Sequence, residues 1–411
     1  MKVQQPAFPA TGPHQPARAA HSAPAARPRG GPGRHRLLGF VAAIAAALAL
    51  QAGTPAHAQG AGVTADTILI GRSAGVTGSL FARVKPVTEA LTAYFAQVND
   101  AGGINGRRLK FINLDDGSDP KRTAENVKKL VDEDKVLVLT SIPGSPQTQA
   151  AVTVASAAGV PLIGSTSGAD SLRKHNRFVF HLKGSYADEF AKMAEHMKTI
   201  GLLRVAIVYS SEPASYEAAL LARAELDRVG IKPVGEFMFK NGEAKAAAEQ
   251  LRKLNAQAVV LPAFPVPGAE FYKEMVKSPT WPQVFAWSII IPETVYKEVG
   301  PQVYGLVVAQ TVPSPNDRST GLSREYQEFI KKSKLPDGGY TGLEGYVYAR
   351  VLVEAIKRTG KTLTRETLIT TLENMRGYDL GGDTVTFSST DHVGRRFVDL
   401  VMVGKDGKFL K

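Results

Sequence analysis

The sequence predicts an α/β protein of two doubly wound lobes. Three observations carry that prediction. From residue 63 onward, short β-branched runs alternate with segments of helical period, the pattern of parallel sheets built from βαβ units. The pattern runs to about residue 163 and then starts again, so the chain holds two similar halves. Finally, 411 residues at 44% hydrophobic and 21% charged exceed one usual domain and can bury real cores, which excludes a disordered chain.

In the first half a strand over 67 to 71 runs into the turn Ser73-Ala74-Gly75-Val76-Thr77-Gly78, which opens a helix over 84 to 99. A strand over 108 to 114 follows. Asp119 and Pro120 then read as N-cap and first residue of a helix, because an Asp oxygen can accept a free N–H there and Pro has none to lose. A third strand over 136 to 139, a helix over 148 to 158 stopped by Gly159, and a fourth strand over 160 to 163 complete this half. The second half predicts helices over 186 to 200, 216 to 229, 244 to 254 and 269 to 277. Its strands fall over 204 to 209, 232 to 237, 258 to 261 and 284 to 287. The Pro-rich stretch 311 to 315 suits a return crossing to the first lobe, where helices over 324 to 332 and 345 to 357 resume. The tail from 385 to 411 alternates as strands.

Several function classes fall away. The chain has no cysteine, which excludes disulfides, thiolate metal sites and cysteine nucleophiles. Its net charge is +12, but residues 1 to 58 carry six bases and no acid, leaving 44 bases against 38 acids elsewhere. No basic stripe with interleaved aromatics appears, so nucleic acid is not an expected partner. Arg34 and Arg36 precede a 14-residue apolar run and then Ala56-His57-Ala58, a signal-peptide pattern cut near Ala58. Export is therefore expected, and the run is shorter than the ~20 residues a spanning helix needs.

In open α/β sheets ligands sit outside the carboxyl ends of the strands, so the loops after strands hold the candidates. Gly144-Ser145-Pro146-Gln147-Thr148 opens a helix and offers Ser145, Thr148 and free N–H groups to a carboxylate; an ordinary helix cap is the alternative. Gly164-Ser165-Thr166-Ser167-Gly168 nearly spells a nucleophile elbow with Thr166 at the centre and no His partner marked. An exported hydrolase on this loop is the rival from another class. Ser171 and Lys174 have S-x-x-K spacing without its companion motifs. His175, His181, His196 and His392 show no metal-ligand spacing, and Asp115-Asp116 reads as turn structure before the Asp119 cap. No nucleotide cradle is present, so no catalytic residue, metal or cofactor is expected. Phe81, Tyr186, Tyr216, Phe264 and Trp287 fall at or beside the same loops and suit an apolar ligand body.

The segments Ile70-Gly71 with Val76-Thr77-Gly78-Ser79, Phe95 through Arg107 with its Asn-x-x-Gly-Gly-Ile-x-Gly core, Asp115 through Pro120, Gly159 through Ile163, and the strand from Val205 to Tyr209 resemble one family. It is the periplasmic solute-binding proteins of branched-chain amino-acid ABC transporters, the leucine/isoleucine/valine-binding proteins. The resemblance covers nearly all of 63 to 405. It implies two Rossmann-like lobes joined by a three-crossing hinge, the type I periplasmic-binding fold, and capture of a small solute with no chemistry on it. It further implies a periplasmic monomer that serves ABC permease subunits in the inner membrane, a ligand-sensing receptor subunit of the same fold being the alternative. On this reading residues 1–58 are signal peptide and leader. Residues 63–182 with about 312–378 form the first lobe, and 183–311 with about 379–411 form the second.

Carried over by position, the carboxylate would be held by Ser145, with Ser167 and Gly168 as the second loop. Tyr186 and Phe264 would be aromatic walls, and Tyr216 and Ser288 would complete the pocket. The family's ammonium-pairing acid falls at about Ser288, and Ile289-Ile290-Ile291 offers no acid beside it. A buried ammonium without a counter-charge would lose several kcal/mol. The expected ligand is therefore an aromatic or branched organic acid without an amino group, in preference to leucine.

Overall fold

The computed structural model describes residues 60–410, so the predicted leader and its cut near Ala58 lie outside the described residues. In chain order, the first half is β1 (Thr67–Ala74), α1 (Phe81–Asp100), β2 (Arg108–Asp115), α2 (Pro120–Asp132), β3 (Val138–Thr140), α3 (Ser145–Ala157), β4 (Leu162–Ile163) and β5 (Val179–Phe180). Its five strands are all parallel in the order β2-β1-β3-β4-β5. The alternation of buried strand and amphipathic helix read from the sequence gives this sheet directly.

The second half repeats the winding. It comprises α4 (Tyr186–Thr199), β6 (Val205–Ser210), α5 (Pro213–Arg228), β7 (Gly235–Phe239), α6 (Ala244–Lys253), β8 (Ala258–Leu261), α7 (Pro265–Met275), β9 (Gln283–Ala286), α8 (Pro292–Val299) and β10 (Val307–Gln310). The strand order β7-β6-β8-β9-β10 is that of the first sheet, extended by β13 (Asp399–Met402), which joins β10 antiparallel. Between β10 and β13 the chain forms α9 (Gly321–Ser333), α10 (Gly339–Thr359), α11 (Arg365–Glu373) and the small ladder of β11 (Tyr378–Asp379) with β12 (Thr384–Val385). Helix α10 lies along α1. Leu343, Val347, Leu352 and Ile356 of α10 share a core with Ile68, Leu91 and Phe95. Leu380, Val385 and Phe387 join that same first core, and only the last strand enters the second sheet.

The family-like segment after α1 has a physical reason. Asn99 binds the start of β2 from both sides, its Nδ2 donating to the Leu109 carbonyl at 2.9 Å and its Oδ1 accepting the Leu109 N–H at 2.7 Å. Gly103 has φ 74°, and a Cβ there would come within 2.1 Å of the Arg107 carbonyl oxygen, so only glycine closes this turn.

Where element edges differ from the sequence reading, proline explains most of it. Helices α5 and α7 begin at Pro213 and Pro265, three and four residues before the apolar periodicity starts, because proline fits the first turn and has no N–H to leave unpaired. Helix α3 similarly begins at Ser145 with Pro146 next. Strand β7 begins at Gly235 rather than near 232, since Pro233 cannot donate to the ladder. The short elements β5, α8, β10 and α11 were not predicted, being too brief for a period to show.

Three segments cross between the sheets: residues 181 to 185, those following Gln310, and those preceding Asp399. His181 and Val393 bridge in parallel, with the His181 N–H donating to the His392 carbonyl at 2.8 Å. Arg395, 3% exposed, touches all three segments. Its guanidinium donates to the Leu182 carbonyl at 2.9 Å and the Thr311 carbonyl at 3.2 Å, and it pairs with Asp383.

Candidate functional site

In both sheets the winding reverses beside the first strand, between β1 and β3 and between β6 and β8, so ligand-accessible crevices open at the carboxyl ends of those strands. The first lobe brings a wall of hydroxyls there. Ser145 is the first residue of α3, its side chain makes no cap hydrogen bond, and its Oγ lies 2.8 Å from Ser167 Oγ. The helix-cap alternative for Ser145 is thus not what the structure has. Ser167 is held by its own loop, its Oγ accepting the Ala169 N–H at 3.1 Å and its N–H donating to Ser165 Oγ at 3.0 Å. Thr148 lies one helical turn deeper. It is fully buried, with its hydroxyl committed to Ser165 Oγ at 2.9 Å and the Ile142 carbonyl at 3.3 Å.

Tyr186 opens α4 behind the capping box of Ser185 and Asp188 and packs over Gly168. A Cβ on Gly168 would sit 2.7 Å from the Tyr186 ring, so glycine is what admits the ring. Burial pushes the Tyr186 hydroxyl above its usual pKa, with Ser145 and Ser167 opposing that shift. Tyr186 is tilted against Trp287 with ring centres 4.9 Å apart, and Phe264 meets Trp287 edge-on at 5.9 Å. Trp287 is fully buried, and its Nε1 donates to the Ala263 carbonyl at 2.8 Å. Tyr216 stands apart from this cluster, half-exposed and leaning on Tyr209.

A second wall is charged, and sequence reasoning missed it. Ser288 donates both its N–H and its Oγ–H to the carboxylate of Glu189, each at 2.7 Å, and both residues are buried. This corrects the expectation that no acid stands beside Ser288: the acid comes from α4, 99 residues earlier in the chain. Arg83 of α1 reaches across from the first lobe and donates to the Ser288 carbonyl at 2.8 Å. Its other terminal nitrogen lies 3.8 Å from Glu344 of α10. Lys183, on the first crossing segment and 2% exposed, lies 3.3 Å from Glu344 and donates to Thr311 Oγ1 at 2.9 Å.

Burial raises the Glu189 carboxyl pKa and lowers that of the Lys183 ammonium, and each partly restores the other's charge. Two bases and two acids make a locally neutral cluster, the condition under which buried charge is tolerable. One signal could have exposed Glu189. Tyr186, Glu189, Phe190, Met193, Ala194 and Met197 form the buried stripe of α4, and an acid inside an apolar stripe needs a buried partner. Glu344 sits in the same way between Leu343 and Val347.

Beyond Ser288 and Arg83 the cleft opens into a chamber of about 900 Å³, whose wall also includes Lys183, Glu344, Gln310 and Tyr340.

The remaining motifs take structural roles. Asp115 accepts from Gly117 N–H and from Thr77 N–H and Oγ1, which pull its pKa down to about 2. Asp116 takes Ser73 Oγ at 2.9 Å, Ser118 N–H at 2.9 Å and Thr123 Oγ1 at 2.9 Å. Asp119 caps α2 as read from sequence. Ser171 lies in a short 3₁₀ turn, its N–H donating to Glu217 at 3.3 Å. Thr166 is buried, its N–H bonded to the Ile142 carbonyl at 3.1 Å. The His175 and His392 rings meet edge-on near the crossing segments, 4.8 Å apart. Among the described residues no helix is long and apolar enough to cross a membrane.

A profile of the periplasmic binding protein family matches residues 67–408. An amino acid binding protein of Pseudomonas aeruginosa is 26% identical over 168 residues, 39% of this chain and 44% of that protein. The chain spans about half the length of the curated relatives it matches. Among solved structures, a substrate-binding periplasmic protein from Ralstonia solanacearum aligns with TM-score 0.74 at 27% identity, over 84% of this chain and 99% of that one. An extracellular ligand-binding receptor from Verminephrobacter eiseniae aligns with TM-score 0.76 at 27% identity, over 84% and 100%.

Proposed function

We propose, since the chain belongs to the periplasmic binding protein family, that it captures a small carboxylate between its two lobes and delivers it to ABC permease subunits in the inner membrane. Export to the periplasm goes with that role. The observation that carries the reading is the Ser145–Ser167 hydroxyl pair, set at the free N-terminus of α3 and facing Tyr186. Uncapped N–H groups, the helix dipole and two hydroxyls together favour a carboxylate without an arginine. The Tyr186, Trp287 and Phe264 rings supply an apolar face for the ligand body. The role requires no covalent step, so the chain acts as a binding protein and not as an enzyme.

The finer question is whether the ligand carries an amino group. The preference for an aromatic or branched acid lacking one rested on a missing acid at Ser288, and Glu189 removes that premise. A ligand ammonium near Ser288 would meet a carboxylate already oriented by two hydrogen bonds. We therefore extend the ligand class to α-amino acids, a reading the name of the Pseudomonas relative also favours.

A thermal-shift panel of free amino acids and their deaminated counterparts tests this, because a ligand of the native state raises the midpoint by mass action. Shifts with amino acids that vanish in Glu189→Gln support the extended class. Shifts with deaminated acids alone restrict it to simple carboxylates, and no shift with any carboxylate contradicts the proposal.

A further inference from the structure

We propose that the ligand site continues past Ser288 into the 900 Å³ chamber, and that its ligand is an amide-bearing carboxylate of dipeptide or N-acyl amino acid size. The inference rests on the carboxylate reading of Ser145 and Ser167. Ligand pockets of ~300–1,000 Å³ enclose drug-sized molecules, so the chamber exceeds what one amino-acid side chain fills.

The chamber adjoins the hydroxyl wall through the charged one. Ser288 and Arg83 belong both to the charged wall and to the chamber lining, and Glu189, which Ser288 binds, lies one helical turn after Tyr186 on α4. At its exposed mouth Lys297 and Lys408 are matched in number by Asp337 and Asp406, and deeper in stand two neutral polar groups. Tyr340 is nine-tenths buried at 9% exposure, and its hydroxyl makes no well-formed hydrogen bond among the described residues, the Ser314 hydroxyl beside it being the one hydrogen-bonding group that acts on it. Gln310, 8% exposed at the end of β10, makes no side-chain hydrogen bond among the described residues. An unpaired buried hydroxyl is costly, so a ligand that pairs it gains correspondingly. A peptide group offers one donor and one acceptor, the complement of a tyrosine hydroxyl and a glutamine amide. Pro86, Ile290 and Val312 supply apolar wall around them. The buried charges at the inner end are already balanced, Arg83 and Lys183 against Glu344 and Glu189, so the chamber does not call for a phosphate or a polyamine.

The test is calorimetric titration of the full chain with free amino acids, their N-acetyl derivatives and hydrophobic dipeptides. The amide-bearing ligands are expected to bind at least about tenfold tighter than the free amino acids. Tyr340→Phe, Gln310→Leu and the chamber-filling Thr341→Trp should each remove that advantage while leaving free amino acid affinity unchanged, with circular dichroism establishing that the variants fold. Free amino acids binding with no gain from the amide would overturn the chamber and leave the carboxylate reading standing. An amide gain that survives all three substitutions would likewise overturn it. No binding of any carboxylate would overturn both.

Discussion

The two walls of the cleft solve opposite problems. The hydroxyl wall of Ser145, Ser167 and Tyr186 uses neutral groups at a helix N-terminus, which on the proposed reading keep hydrogen-bonding capacity for a ligand. In the charged wall Arg83 of α1 and Lys183 of a crossing segment both lie against Glu344 of α10, and Glu189 of α4 is held by two hydrogen bonds from Ser288. The first is built to be completed from outside; the second is nearly complete in itself. Substitutions in the hydroxyl wall should therefore act on affinity and those at Lys183 and Glu344 on stability, with Glu189, beside Ser288, bearing on both.

The largest effect separating them is expected at Glu344. Glu344→Ala leaves Lys183 buried without its anion and takes one of two acceptors from the Tyr348 hydroxyl, the Ser165 carbonyl remaining. Breaking a buried pair in this way should cost about 3–5 kcal/mol in chemical denaturation. A loss under 1 kcal/mol would mean the charges are solvated and the contrast between the walls is false.

This asymmetry also governs what was readable in the sequence. The sheets, their repeated winding and the strand-end loops were legible because each depends on local periodicity and on turns closed by nearby residues. Ser145 was offered by one of those loops and Ser167 and Gly168 by the family resemblance; the fold brings the Ser145 and Ser167 hydroxyls to 2.8 Å. Glu189 did not, because its partner Ser288 lies 99 residues on, and neither residue signals the other locally. The Arg395 contacts at the crossings are of the same kind, joining Leu182, Thr311 and Asp383. Thr148 shows the converse limit: spacing placed it on the right helix, but its hydroxyl faces the interior.

A smaller effect sharpens the contrast through pH. His181, on the crossing segment that also carries Lys183, has its pKa lowered to about 3, chiefly by burial. An unfolded histidine titrates near pH 6.5. Below that value the unfolded chain binds a proton that the folded one refuses. Stability should be full above about pH 6.5 and fall as pH drops toward 3. His181→Leu should flatten that part of a stability–pH profile, and an unchanged slope would assign it to other groups. The smallest effect belongs to Tyr216, half-exposed outside the aromatic cluster. Tyr216→Ala should alter stability by no more than about 0.5 kcal/mol, as read from the denaturation midpoint. A larger loss would show that the rim is part of the second lobe's core.

The most direct test of the account is calorimetric titration of the tightest carboxylate from the ligand panel against the full chain and against a Ser145→Ala, Ser167→Ala double variant. Losing two hydroxyl contacts to a charged ligand group should weaken binding by about 3–6 kcal/mol, at least a hundredfold, in a variant that circular dichroism shows to be folded. Equal affinity in the two proteins would contradict the claim that the hydroxyl wall holds the carboxylate.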